Sequence, residues 1–153
     1  MSASNRYSTI DQGPSRQMGL DVGEKTIGVA ISDELGWTAQ PLKTLRNKKR
    51  IQDLEKIKEI VEEYRISSIV VGLPLLMSGV EGSQARRVKA FASQLEKMVD
   101  VPVLFWDERF STVAAERILI EADLSREKRK KQVDKIAAAI ILQGYLDSLR
   151  AQQ

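Results

Sequence analysis

The stretch GLDVGEKTIGVAISD, residues 19–33, places one carboxylate, Asp21, among Leu20, Val22, Ile27, Val29 and Ile31, the residues of buried strands. A charge in such surroundings costs several kcal/mol unless something compensates it. Alternation along a strand puts Gly19, Asp21 and Gly23 on one face, where the glycines leave room for a ligand or another backbone. A second source of acid is FWDERF, in which an apolar strand ends at Asp107 and Glu108. Neighbours on a strand face opposite ways, so only one of these two can join Asp21. The third is Asp134 in KKQVDKIAAAIILQ, at the margin of an apolar helical face and near the expected helix start, where the helix dipole alone would also favour an acid. Acids gathered within a few ångströms raise one another's pKa values, and a divalent cation removes that conflict. One such ion, or two ~4 Å apart, can activate water and steady the leaving oxygen in phosphodiester hydrolysis. Carboxylate oxygens select a hard cation, Mg²⁺ or Mn²⁺.

Composition points the same way by exclusion. The 153 residues include no cysteine and no histidine, which removes cysteine nucleophiles, Ser-His-Asp triads and the usual zinc sites. Apolar content of 42% and charged content of 29% are ordinary for a globular domain. No run approaches ~18 apolar residues, so a membrane span is not expected, and the lack of disulfides suits the cytoplasm. The net charge of +3 hides an uneven distribution. RNKKR (46–50) carries four positive charges and REKRKK (126–131) five against one negative, while acids outnumber bases elsewhere. Taken singly, each cluster reads as a solvated loop or helix end; as a pair they offer phosphate contacts.

The elements that must position these residues follow from periodicity. Strands are expected at 17–23 and 26–32, joined tightly at Gly23-Glu24-Lys25, with a third extended piece at 37–45 made irregular or marginal by Pro41. Ile51, Leu54, Ile57, Ile60, Val61 and Tyr64 recur at helical spacing. ISSIVVGLP (66–74) reads as a buried strand, Ala85 to Met98 as a second amphipathic helix, and VPVLFW (101–106) as another buried strand. Ser111 or Thr112 can cap a third helix, 112 to about 123. The last helix is expected from near Lys130 to about Leu149, buried through IAAAIILQGYL. Right-handed crossovers then give one α/β domain over residues 17–150: a five-stranded mixed sheet, three antiparallel strands then two parallel, with helices on both faces. Residues 1–16 read as a flexible leader. Strands parallel to the first end at one edge of the sheet, where open α/β sheets form their sites.

The sequence resembles the YqgF/RuvX family of bacterial proteins, within the RNase H-like, RuvC-related nucleases. The resemblance spans residue 18 to about 149, through GLDVGEKTIGVAISD, VVGLPLLMSGVEGSQARRVKAFA (70–92), DERFSTVAAE (107–116) and VDKIAAAIILQGYL (133–146). It implies an RNase H-like fold and a nuclease for structured nucleic acid, with processing of the 5′ end of pre-16S rRNA as the expected role. Carried over by motif, the catalytic and metal-binding acids are Asp21, Glu108 and Asp134, so the resemblance selects Glu108 over Asp107. Phe110 stands where the family commonly has leucine, a packing change. The last motif shows one aspartate where RuvC-type resolvases have a close pair, which lowers the expected metal count.

Candidate substrate-binding residues are Lys25, Arg86, Arg87, Arg109, Lys48, Lys49, Arg129 and Lys130; Arg109 could equally pair with Asp107. Trp106 reads as core. Expected partners are RNA, precursor ribosomal particles or branched DNA, with the chain a monomer or weak homodimer. Two competing functions are a Holliday-junction resolvase and a nucleic-acid-binding factor that does not cut. A third, an ATP-binding module suggested by the D-x-G turn, needs a second related domain for which this length leaves no room.

Overall fold

A computed structural model describes residues 15–46, 48–110, 122–123 and 126–152, with the side chains of 110 and 126–131 outside that set. Three strands come first: β1 (Arg16–Val22), β2 (Ile27–Ser32) and β3 (Ala39–Leu45). Helix α1 (Arg50–Glu63) leads to β4 (Ile66–Leu73), and helix α2 (Ser83–Glu96) to β5 (Val103–Asp107). A 3₁₀ turn, Glu108–Phe110, follows β5, and helix α3 runs Arg126–Ala151. The expected capping by Ser111 or Thr112, and most of the expected helix from 112, lie outside the described residues.

The sheet order is β3-β2-β1-β4-β5, with β1 antiparallel to β2, β2 antiparallel to β3, and both β4 and β5 running parallel to β1. The topology expected from the periodicity is therefore the one present. Gly23 N–H donates to Thr26 O at 2.8 Å and closes the β1–β2 turn. At Pro41 the β2–β3 register shifts, as an edge strand allows where no donor is available.

Alternation along β1 divides the core between two layers. Met18, Leu20 and Val22 face α1 and α2 in a cluster with Leu54, Ile57, Ile69, Val71, Val88, Phe91 and Leu95. Gly19 and Asp21 face the opposite way, towards α3, whose Ala137, Ala138, Ile141, Leu142 and Leu146 pack on Ala30 and Val70. A Cβ on Gly19 would lie 2.7 Å from Leu142 Cβ and 2.8 Å from Ala138 O, so this glycine admits the α3 backbone.

Four expectations are corrected. Asp21 is half-buried rather than sealed in the core. Ile51 is 49% exposed, because the inward place in the first turn of α1 is taken by Asp53, only 1% exposed and paired with Arg50. The strand at 101–106 begins only after Pro102 and is not buried: β5 is an edge strand, and its Leu104 and Phe105 are exposed. Finally, α3 begins at Arg126, so Asp134 lies more than two turns in. The helix dipole falls off within the first turn and cannot explain an acid there.

Candidate active site

The site is built on a row of residues across three strands. Asp21 pairs with Gly28 in β2. On its other side Leu20 pairs with Val71, which brings Gly72 of β4 opposite Asp21, and Gly72 in turn pairs with Trp106 of β5. Asp21 therefore has glycine on both flanks. A Cβ on Gly28 would fall 1.9 Å from Asp134 O, and one on Gly72 2.7 Å from Glu108 Oε1. The α3 backbone at Asp134 and the Glu108 carboxylate thus sit directly above the glycines beside Asp21. Positions 21, 108 and 134 lie on one face of the sheet, spread over a patch two strand spacings wide, about 10 Å.

Each placement has a local cause. Trp106, the last β5 residue on this face, packs edge-on against Tyr145 of α3 at 6.2 Å. Asp107 then turns to the far face, and Glu108, starting the 3₁₀ turn, returns to the α3 side. That is the physical basis for Glu108 rather than Asp107 on this face. Asp134 Oδ2 accepts a 2.6 Å hydrogen bond from Thr26 Oγ1, in the turn just before β2. Among the described residues no three acidic side chains already stand as a chelating group, and Asp134 is held by Thr26. The donor set is nonetheless all oxygen, the chemistry a hard cation selects, and the glycines at 28 and 72 let the α3 backbone and the Glu108 carboxylate come close to the strand row that carries Asp21. Thr26→Val should cost about 1–2 kcal/mol in urea unfolding followed in a chelator, because the carboxylate loses its donor.

Asp107 has other work. Arg109 donates to it from its backbone N–H at 2.9 Å, from Nε at 3.1 Å and from Nη2 at 2.7 Å. The guanidinium holds the Asp107 carboxyl below its ordinary value of 3.8. A depressed folded-state pKa contributes stability that is present above the unfolded value and is lost as pH falls through the folded one. Asp107→Asn should therefore remove part of the stability lost on acidification below about pH 4, in denaturant titrations read across pH.

The cationic candidates divide by location. Lys25 lies exposed in the β1–β2 turn, Lys48 and Lys49 lie exposed between β3 and α1, and Arg86 and Arg87 lie exposed at the start of α2. Arg109 is engaged with Asp107 and donates to Met77 O at 3.4 Å. Arg129 and Lys130 fall in the first turns of α3, their side chains outside the described set. Because β1, β4 and β5 are parallel and β2 enters from the turn, Lys25, Lys48 and Arg109 lie at the same sheet edge as Asp21 and Glu108. Sequence reasoning passed over Thr26, Gly72 and Asp53, and read Arg50 only as part of the RNKKR cluster. Only Gly72, in VVGLP, carried a signal, as a small residue inside a buried strand.

The profile of the RuvX family, described as a Holliday junction resolvase, matches residues 15–148. The chain belongs to the RuvX family. A relative of this chain from Desulforamulus reducens is 56% identical over 133 residues, covering 87% of this chain and 97% of the relative. One from Moorella thermoacetica is 57% identical over 134 residues, covering 88% and 96%. Both carry the name "Putative pre-16S rRNA nuclease". Among solved structures, Thermus thermophilus RuvC in complex with a Holliday junction substrate superimposes with a TM-score of 0.60 at 15% identity, covering 90% of this chain and 96% of that one. Fowlpox virus resolvase, also bound to junction DNA, gives 0.53 at 12% identity, covering 88% and 98%. These distant likenesses concern the fold, which is RNase H-like in this RuvX chain as in RuvC.

Proposed function

We propose that this RuvX chain is a metal-dependent nuclease that hydrolyses phosphodiester bonds in structured nucleic acid, with the 5′ end of precursor 16S rRNA as its substrate in the cytoplasm. The observation that carries the reading is the glycine-flanked row: Glu108 and Asp134 stand over the two residues beside Asp21. The names of the close relatives support the RNA assignment.

Asp21, Glu108 and Asp134 would hold Mg²⁺ or Mn²⁺, one ion or two. Such a cation supplies Lewis acidity and a water of lowered pKa at a phosphodiester. The chain's own residues do the rest. Thr26 keeps Asp134 turned to the β2 side of the row. Lys25, Lys48, Lys49, Arg86, Arg87, Arg109, Arg129 and Lys130 hold backbone phosphates on either side of the acids. Among the described residues no helix is long and apolar enough to cross a membrane. The protein would act as a monomer or weak homodimer on RNA or on precursor particles.

A four-way DNA junction is the second reading, favoured by the family's description. Resolution of a junction needs two sites across a two-fold axis, so a strictly monomeric chain argues for RNA. The deciding experiment incubates purified protein and Asp134→Asn with labelled precursor 16S RNA and with a synthetic junction, in Mg²⁺ or Mn²⁺. Cleavage of the RNA by the parent alone supports the proposal. Tight binding without cleavage by either protein makes the chain a binding factor.

A further inference from the structure

At the same sheet edge as the acidic row the structure forms a cavity of opposite charge. A cavity of about 510 Å³ between the β1–β2 turn and the β3–α1 connection is lined by Glu24, Lys25, Arg46, Lys48 and Arg50. Four cations and one carboxylate, Glu24, surround one opening, and the excess positive charge favours entry of an anion.

The four are not equivalent. Arg50 is committed to the frame: its guanidinium donates to Gly23 O and, at 3.2 Å, to Glu24 O, and pairs with Asp53 at 3.3 Å. It also lies 5.4 Å from the centre of the Phe91 ring of α2. Asp53 is 1% exposed, so its charge is fixed in place and fixes Arg50 in turn. The pair ties α1 and α2 to the turn that begins two residues after Asp21. Lys25, Arg46 and Lys48 are exposed, and among the described residues they form no ion pair. Lys25 stands on the turn that Arg50 braces, and Arg46 and Lys48 stand on the β3–α1 connection that faces it.

We infer that this cavity, framed by Arg50 and Asp53, is a binding site for backbone phosphate of a nucleic-acid strand, with Lys25, Arg46 and Lys48 as its ligands and Arg50 as a positioning residue. The inference rests on the proposed nucleic-acid function. It divides the RNKKR cluster into ligands, Arg46 and Lys48, and a positioning residue, Arg50, and sets where the strand leaves the acids: past the β1–β2 turn, towards the start of α1. Steering then follows from one sheet edge. The carboxylates repel the strand except where a cation bridges, and the neighbouring cavity attracts it.

The test is the salt dependence of affinity for a fluorescein-labelled single-stranded RNA, measured by anisotropy in a chelator so that no strand is cut. The parent is compared with a triple variant, Lys25→Gln, Arg46→Gln and Lys48→Gln. A control variant carries the same charge loss at exposed Lys56, Lys58 and Lys97. For single strands each phosphate contact contributes about 0.7 to the slope of log affinity against log salt. The triple variant should lose roughly 0.7 to 2 of that slope, and the control close to none. If the triple variant keeps the parental slope, or the control loses as much, the cavity is not a phosphate site, although the nuclease reading stands. If the parent itself does not bind RNA, the inference falls together with the nucleic-acid function it rests on. All six positions are exposed, so the variants are expected to fold, and matching melting curves check it.

Discussion

Asp21→Asn should lower metal-dependent cleavage of precursor RNA about 10³-fold while leaving the melting temperature unchanged or slightly higher. The size follows from what the carboxylate does rather than from packing. Asp21 lies mid-row between two glycines, so an isosteric amide fits without a clash. The substitution removes one negative charge from the patch shared with Glu108 and Asp134, which relieves repulsion in the metal-free protein. The same charge is lost where a cation must be gripped, and losing one preorganised electrostatic contribution costs ~10²–10³ in rate. Single-turnover cleavage under saturating Mg²⁺ or Mn²⁺ measures the first effect, and thermal unfolding in a chelator the second. Asp21→Asn cutting at the parental rate would remove Asp21 from the hydrolytic centre. A large drop in melting temperature would assign it a structural role.

Gly28→Ala is expected to be the most disruptive added methyl group among the described glycines. Its Cβ would stand 1.9 Å from Asp134 O, 2.3 Å from Asp134 C and 2.8 Å from Lys135 N. All three are backbone atoms in α3, so no rotamer change relieves the contact and the helix must move off the sheet. Overpacking of this kind costs about 3 kcal/mol, which for a chain of this length lowers the melting temperature by roughly 10 °C. Since α3 carries Asp134, cleavage should fall even below the melting transition. Gly72→Ala is the informative contrast. Its Cβ would meet the ends of flexible side chains, Ile141 Cδ1 at 2.5 Å and Glu108 Oε1 at 2.7 Å. Those can swing aside, so stability should suffer less, while activity should fall because Glu108 is the group displaced. Differential scanning fluorimetry alongside cleavage rates separates the two. Equal stability losses at both glycines would mean that the close approach of α3 at Gly28 is not a constraint.

The two substitutions also mark what could be read without coordinates. The alternation in β1 and β2 and the period-3.6 stripe of α1 and α2 are local, so the strand count and directions followed from them once crossover handedness was applied. Asp21 was conspicuous for a similar reason, as a carboxylate inside an apolar run, whereas spacing left Asp107 and Glu108 open and only the family resemblance chose between them. Ile51 and β5 were misjudged because burial depends on what lies alongside. An apolar residue at the right spacing stays exposed when Asp53 holds the inward position, and an apolar strand stays open when it is last in the sheet.

By itself the sequence determined the class of fold and the family, because pattern and motif order are carried by residue type and short-range spacing, and it narrowed the candidate acids to a few positions. Tertiary structure alone decided that Gly28 and Gly72 flank Asp21 from different strands, that Thr26 holds Asp134, and that a buried Asp53 braces Arg50 against the β1–β2 turn. These partners are between 3 and 108 residues apart in the chain, and for the long-range ones no local period records them. They meet because strand pairing and the seating of α3 on the sheet are set by the whole core at once.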